Sequence, residues 1–288
     1  MPLSALVDGQ LLCAPLLDEQ QWSCVKGQTV VLQPCGHKGF GRVSRLGTQH
    51  FVHERDSGCE HSESAEHMHL KAVIARAAAD SGWQAGTEVA GQGFIADVLA
   101  TREQQQIAFE VQRSKQVLRL YQERQERYRQ AGVRAVWLAR SVPSGYVCTP
   151  QVPLFVVDGW DGQPHAVAAG RRVAVPDLVD ALLAGKVHWR GEVGAAQQTT
   201  DIVRLLCPVC GTRREVAVAR WLQGRCSCGL PVAQQQANPR WWEQAKCCGY
   251  WGPAVTLGRT SRTRATEATL PIGHWCLDPL DPAPAISA

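Results

Sequence analysis

The sequence predicts an α/β protein whose central part has the element order αββαβ, with a small β-rich module before it and a cysteine-rich module after it. Apolar residues recur at helical spacing in some central segments and form short, strand-length runs in others, a mixture typical of helices packed on a sheet. The 288 residues, 45% of them hydrophobic, suffice for about two domains with real cores. We expect modules at 1–61, 62–190 and 201–276, and a disordered tail at 277–288.

The first 61 residues are rich in Gly, Cys and His and are predicted to form short strands and turns. Cysteine and histidine are the usual ligands of zinc in proteins. More candidates are present than one site needs, so a second zinc site is predicted here without a choice of ligands. The candidates are Cys24, Cys35, His37, His50, His53, Cys59 and His61.

The segment "SESAEHMHLKAVIARAAADSG", residues 62–82, is predicted to be an amphipathic helix. It starts with Ser, has apolar residues at helical spacing and stops at Gly82. Glu63, His67 and Lys71 follow one another at intervals of four residues. These three side chains should therefore share one stripe of the helix.

The stretch "IADVLATREQQQIAFEVQRS", residues 95–114, is predicted to be a β-hairpin because two short apolar runs flank a polar turn. Strand alternation places Glu110 and Gln112 on one face, and pairing of the two strands can place Asp97 opposite Glu110. Facing carboxylates repel each other, but a divalent cation turns them into a set of hard oxygen ligands. The hairpin therefore indicates a metal site.

A basic helix in "SKQVLRLYQERQERYRQAG" and the apolar strand "VRAVWLAR" follow. Residues 113–140 carry eight Lys or Arg against two Glu, and residues 203–265 carry ten against two. Clustered arginines with few acids indicate a phosphate-backbone partner. The residues predicted to contact nucleic acid are Arg113, Lys115, Arg119, Arg124, Arg127 and Arg129.

Beyond this helix, a strand in "PLFVVDGW" and a short helix in "VPDLVDALLAGKVHW" complete the central part, and residues 191–200 are expected to be a linker. The C-terminal part then contains Cys207, Cys210, Cys226 and Cys228 in the pattern C-x₂-C-x₁₅-C-x-C. This spacing is close to that of a four-cysteine zinc ribbon. The four thiols are therefore predicted to bind zinc.

Cysteine usage and hydropathy predict a cytoplasmic protein without a membrane partner. The early apolar run "LLCAPLL" is too short to span a membrane, and no basic segment precedes it. Twelve cysteines without a signal peptide favour reduced thiols and metal ligands over disulfides.

The central segment resembles the PD-(D/E)XK nuclease fold and, more narrowly, the CoiA-like family of competence proteins, over roughly residues 22–140. The resemblance depends on the order and spacing of its motifs rather than on any one of them. These are "HFVH" at 50–53, "ESAEHMHLK" at 63–71, "ADV" at 96–98, "FEVQRS" at 109–114 and "ERQERYRQAGVRAVWL" at 123–138.

The resemblance implies metal-dependent cleavage of a nucleic-acid phosphodiester, with Mg²⁺ or Mn²⁺ held by Asp97, Glu110 and the main-chain carbonyl of Val111. Glu63, ranked above Glu66, would complete the site. The wider fold usually has a lysine where this chain has Gln112, a neutral amide that supplies no charge. Lys71 on the helix is the candidate for the missing cation. His67 is the remaining candidate catalytic residue, although a histidine on a helix is more often structural.

These observations predict a nuclease acting on DNA, in the processing of incoming or foreign DNA. One alternative is a catalytically silent DNA-binding adaptor. Another is that the zinc modules dock proteins of a recombination or defence assembly.

Overall fold

The structure is a computed structural model that describes residues 2–33, 35–54, 63–144, 146, 148–168, 171–192, 196–222, 244–248, 250–266 and 272–277. The chain divides into two compact units. The first comprises Met1–Ser144, Pro150–His188 and Trp275–Ala288, and the second comprises Gly145–Thr149 and Trp189–His274. No helix among the described residues is long and apolar enough to cross a membrane.

The N-terminal module is a five-stranded antiparallel sheet with strand order β2-β1-β3-β4-β5. Its strands are β1 (Ser4–Val7), β2 (Gln10–Cys13), β3 (Val30–Leu32), β4 (Lys38–Val43) and β5 (Gln49–His53). The sequence did not predict the helix α1 (Glu19–Lys26), which starts with a capping box between Asp18 and Gln21. Trp22 of this helix is buried and its ring contacts Phe51. The predicted β-rich module thus also contains one packed helix.

The first unit also contains a seven-stranded mixed sheet with strand order β12-β11-β10-β9-β8-β7-β6. The β8–β9 and β9–β10 pairs are parallel, and the other pairs are antiparallel. The strands are β6 (Gln84–Gly91), β7 (Phe94–Arg102), β8 (Gln105–Gln112), β9 (Arg134–Ala139), β10 (Leu154–Asp158), β11 (His165–Ala168) and β12 (Arg171–Ala174). The helices are α2 (Ala65–Asp80), α3 (Leu118–Gln130) and α4 (Val175–Leu183). The predicted α/β class is confirmed.

Helices cover both faces of this sheet. Leu70 and Ile74 of α2 pack with Phe109 of β8 and with Leu178 of α4 in one large buried cluster. On the other face, Tyr128 of α3 packs with a smaller cluster from β7, β8 and β9. The central strands are therefore buried on both sides, as expected for strands with continuous apolar runs.

The predicted hairpin is present as β7 and β8, with Val98 opposite Phe109. The element order, however, is αβββαβ rather than αββαβ, because Gln84–Gly91 forms an additional strand. Its glycines, including Gly86 and Gly91, are typical of turns, yet the segment pairs with β7 along its length. The sequence prediction was wrong on this strand.

In the second unit, an antiparallel sheet has the order β15-β14-β18. The expected linker at 191–200 is wrong, because Ala196–Leu206 forms a long strand that pairs with both neighbours. Its Thr, Ile and Val residues suit a paired strand. The strands from residue 187 onward are β13 (Val187–Glu192), β14 (Ala196–Leu206), β15 (Arg213–Leu222), β16 (Gln244–Cys247), β17 (Tyr250–Pro253), β18 (Val255–Thr266) and β19 (Ile272–Leu277), of which β13 and β19 include residues of the first unit. The β13–β19 and β16–β17 pairs form two further sheets, and the predicted tail beyond Leu277 lies outside the described residues.

Candidate active site

His67 and Lys71 lie four residues apart on α2, and Glu63, predicted on the same helix, lies just before Ser64 at its start. Ser64 caps the helix, since its hydroxyl accepts a hydrogen bond from the His67 N–H at 3.2 Å. His67 Nε2 lies 3.7 Å from Glu63 Oε1 and 3.6 Å from Asp97 Oδ2 on β7. The structure therefore brings three predicted residues, Glu63, His67 and Asp97, into one group.

The side chains of β7 alternate between the two faces of the sheet, and this alternation is interrupted at Asp97. Ala96 and Leu99 pack on the α3 side, whereas Val98 and Ala100 pack on the α2 side. Two successive residues, 97 and 98, therefore lie on the α2 side of the sheet. The Asp97 carboxylate accepts a hydrogen bond of 2.8 Å from the backbone N–H of Val111. This bond fixes Asp97 at the end of the β7–β8 ladder, where it can meet α2.

Lys71 is buried and lies among three carboxylates. Its Nζ donates 2.7 Å to Glu63 Oε1, donates to Glu88, and lies 4.0 Å from Asp97 Oδ1. Burial alone would lower the pKa of Lys71, but the charges of Glu88, Glu63 and Asp97 raise it above its ordinary value. Lys71 is therefore a fixed positive charge beside the group.

The groups around Asp97 keep its carboxylate ionised. Burial acts to raise the pKa of Asp97, but the nearby His67, the Lys71 ammonium and the Val111 N–H together lower it to about 2. Divalent cations bind ionised carboxylates, so Asp97 is suited to be a metal ligand.

Two atoms of the group are buried without a hydrogen-bond partner in the described part of the chain. These are Glu63 Oε2 and His67 Nε2. Buried polar atoms normally have partners, so an unpaired oxygen and nitrogen beside Asp97 indicate a place for a ligand. The ligand atoms of Glu63, His67 and Asp97 lie within 4.8 Å of one another. Two carboxylates and an imidazole suit a divalent cation such as Mn²⁺, and the carboxylates suit Mg²⁺.

Glu110 points to the other face of the sheet. It is fully buried, and its carboxylate accepts hydrogen bonds from Arg124 and Tyr128 of α3. Burial and the charge of Asp97 raise the pKa of Glu110 to about 8, although Arg124 and Tyr128 oppose this. The structure thus groups Asp97 with Glu63 and His67 on the α2 side and holds Glu110 on the α3 side.

Gln112 and the candidate nucleic-acid residues lie at or beyond the end of β8 and along α3. Gln112 Nε2 donates to the Ser114 carbonyl at 2.9 Å and to its hydroxyl at 3.2 Å. Of the predicted phosphate-binding residues, Arg124 contacts Glu110 and lies over the ring of Trp137. The exposed ones are Arg113, Lys115, Arg119, Arg127 and Arg129.

Two of these exposed arginines have acidic partners on the same helix. Arg119 pairs with Glu123, and Arg129 pairs with Glu126. Exposed pairs of this kind contribute little and exchange readily. Both guanidinium groups therefore stay accessible to phosphate.

Of the seven predicted N-terminal metal ligands, the described structure brings three together. Cys35, His37 and His53 lie together, with Cys35 Sγ 3.2 Å from His53 Nε2. His50 is buried and its ring contacts the Thr48 carbonyl, and burial lowers its pKa. Cys24 is exposed on α1, and Cys59 and His61 lie outside the described residues.

In the second unit, Cys207 and Cys210 lie together with Cys248, a residue that the sequence analysis did not assign. Cys226 and Cys228 lie outside the described residues. Glu88 is the other residue that the sequence did not reveal, because its contact with Lys71 depends on β6, which was not predicted.

Residues 63–143 match the family described as "Competence protein CoiA, nuclease-like domain". The match covers a little over a quarter of the chain and begins at Glu63, so it contains the whole Glu63–His67–Asp97 group. It confirms the resemblance to CoiA-like proteins that the sequence motifs indicated. No curated protein and no solved structure matches the chain.

Proposed function

Since residues 63–143 match the nuclease-like domain of the CoiA family, we propose that this chain is a metal-dependent nuclease that hydrolyses DNA phosphodiester bonds. The observation that carries the proposal is the Glu63–His67–Asp97 group, in which Glu63 Oε2 and His67 Nε2 are buried and have no hydrogen-bond partner in the described structure. The family supports nuclease-like chemistry in competence, and the group supplies ligands for the metal that such chemistry uses.

The electrostatics of the group favour a divalent cation. Glu63, Glu88 and Asp97 surround the single ammonium of Lys71, so carboxylates outnumber the cation in a buried place. When bound, Mg²⁺ or Mn²⁺ would lower the pKa of an attacking water and neutralise charge on the phosphoryl oxygens. Glu63, His67 and Asp97 would hold the ion.

Lys71 is a positioning residue in this proposal. Its hydrogen bond to Glu63 and its charge near Asp97 hold two ligands in place. Gln112 is neutral and donates to Ser114, so Lys71 is the buried positive charge closest to the site among the contacts described here.

The sequence-based ligand set of Asp97, Glu110 and the Val111 carbonyl shares Asp97 with this group. For that set to bind a metal ion, Glu110 would have to break its hydrogen bonds with Arg124 and Tyr128. Glu63, His67 and Asp97 can bind the ion without breaking these bonds, so we favour them as the ligands. Glu110 then orients Arg124 and Tyr128 on α3.

DNA is the proposed substrate, bound by the exposed arginines of α3 and by Arg113 and Lys115 beyond β8. Such contacts are to phosphates and carry no sequence preference.

A cleavage assay tests the proposal. The full chain is incubated with labelled single-stranded and duplex DNA in Mg²⁺, Mn²⁺ or EDTA, beside Asp97→Asn and the matched control Asp177→Asn, an exposed residue of α4. We expect metal-dependent cleavage by wild type and control and none by Asp97→Asn. Cleavage in EDTA, or by Asp97→Asn at the wild-type rate, would contradict it.

A DNA-binding adaptor without catalysis is the second candidate. The observation that favours it is Gln112, a neutral amide that donates to Ser114 and supplies no charge at the position where the wider nuclease fold usually has a lysine. Binding of DNA without cleavage in either metal would support this alternative.

A further inference from the structure

Three cysteines of the second unit lie together away from the candidate active site. The Sγ atoms of Cys207, Cys210 and Cys248 lie within 4.8 Å of one another, and those of Cys207 and Cys248 are 4.0 Å apart. A disulfide requires about 2.05 Å between sulfurs. Two thiolates bound to one tetrahedral Zn²⁺ at about 2.3 Å lie roughly 3.8 Å apart. The observed separation therefore fits a shared metal ion rather than a covalent bond.

Cys207 and Cys210 belong to the turn that joins β14 to β15. The Cys207 N–H donates to the Thr212 carbonyl, and the Gly211 N–H donates to the Cys207 carbonyl, both at 3.0 Å. Gly211 has a φ of 69°, in the left-handed region that glycine adopts easily. These bonds fold the C-x₂-C segment into a tight loop that presents both thiols on one side.

Cys248 comes from a different element, the hairpin of β16 and β17. Cys247 pairs with Tyr250, so Cys248 is the first residue of a two-residue turn. Its φ of 45° is uncommon for a residue other than glycine, and such turns favour Asn, Asp or Gly. A cysteine at this position, with its sulfur beside that of Cys207, indicates that the thiol itself is needed there.

We propose that Cys248 is a ligand of a zinc ion that Cys207 and Cys210 also bind. The ion would tie the β16–β17 hairpin to the β14–β15 turn. Clustered thiolates select Zn²⁺ over the harder Mg²⁺ and Mn²⁺ proposed for the active site. Cys226 and Cys228, the other two ligands that the cysteine spacing predicts, lie outside the described residues. The proposal does not depend on nuclease activity.

Differential alkylation of the full chain tests it directly. Cys210 and Cys248 are exposed, as is Cys24 on α1, which belongs to none of the cysteine groups described above. The zinc-loaded chain is treated with iodoacetamide before and after chelation, and labelled cysteines are mapped by mass spectrometry. We expect Cys24 to be labelled in both states, and Cys210 and Cys248 only after chelation. Labelling of Cys248 as fast as Cys24 in the zinc-loaded chain would overturn the proposal.

Cobalt substitution gives a second readout. Each thiolate bound to cobalt contributes to the charge-transfer absorption. In Cys248→Ser this absorption should fall by the contribution of one thiolate, and in the control Cys24→Ser it should be the same as in wild type. Cys248→His keeps a metal ligand at this position, so it should still bind cobalt, with the same reduced absorption. This variant tests the proposal if Cys248→Ser does not fold. Unchanged absorption in Cys248→His would show that Cys248 is not a ligand.

Discussion

At the scale of single residues, the buried ammonium of Lys71 is the positive charge that pairs with two neighbouring carboxylates. Its side chain is 1% exposed and contacts Glu63 and Glu88. Replacing it by an apolar residue leaves these carboxylates buried without their cation. Loss of one partner from a buried ion pair typically costs about 3–5 kcal/mol.

We therefore expect Lys71→Met to lower the free energy of unfolding by that amount, measured by urea denaturation. The exposed Lys115→Met is the matched control and should change it little. Addition of Glu88→Gln to Lys71→Met should restore part of the loss, because one unpaired charge is then removed. A Lys71→Met variant as stable as wild type would show that the ion pairs of Lys71 do not stabilise the fold.

Asp97 gives a prediction with a defined pH dependence. Its folded-state pKa of about 2 lies below the ordinary 3.8, so the folded chain binds this proton less tightly than the unfolded chain. The resulting stabilisation, about 2 kcal/mol at 1.36 kcal/mol per pKa unit, is present above pH 4 and is lost as the pH falls towards 2. In metal-free buffer, the stability difference between wild type and Asp97→Asn should shrink over that range. A difference independent of pH would contradict the assigned pKa.

At the scale of elements, α3 has a buried side and an exposed side. Arg124 and Tyr128 face Glu110, whereas Arg119, Arg127 and Arg129 are exposed. Only the exposed set should contact phosphates. The two roles can therefore be distinguished by mutation.

Changing Arg119, Arg127 and Arg129 to Gln should flatten the plot of log DNA affinity against log salt, by up to roughly 0.7–0.9 units per lost phosphate contact. The control changes the exposed Arg171 and Arg172 of β12, which should leave the slope nearly unchanged. An equal slope in the α3 variant and wild type would show that this face of α3 is simply solvated.

Helices and strands whose apolar residues recur at a clear spacing were predictable from the sequence, and those without such spacing were not. The helix at Ala65–Asp80 and the hairpin of β7 and β8 follow directly from apolar spacing. The strand Gln84–Gly91 was missed because its glycines resemble turns, although pairing with β7 determines its structure. The face change at Asp97 also could not be predicted, since it depends on tertiary contacts with α2 rather than on strand alternation.

At the scale of the whole molecule, the chain comprises two compact units, and each contains residues that could hold a metal ion. The first unit contains Glu63, His67 and Asp97, and the second contains Cys207 and Cys210. Glu63, His67 and Asp97 were all predicted as site residues, but the predicted metal ligands were Asp97, Glu110 and the Val111 carbonyl, because the face change at Asp97 was not predictable. Cys248 was not predictable because it is distant in sequence and reaches the site only through the β16–β17 hairpin.

The double variant Cys207→Ser, Cys210→Ser should lose about one zinc per chain by atomic absorption and become protease-sensitive after residue 200, because metal binding and local folding are coupled. Residues 63–143 should stay protease-resistant, since their core has no cysteine ligand. Unchanged zinc content would contradict a role of these two thiols as ligands. Cys24→Ser serves as the control.

The claim that Glu63, His67 and Asp97 hold the catalytic metal can be tested by pulsed electron paramagnetic resonance of the Mn²⁺-loaded chain. A nitrogen ligand gives a modulation of the electron spin echo that oxygen ligands do not. We expect this modulation in wild type and in His53→Ala, a change in the N-terminal cysteine–histidine group, and its loss in His67→Ala. Bound Mn²⁺ without nitrogen modulation in wild type, as expected for ligation by Asp97, Glu110 and the Val111 carbonyl, would contradict it.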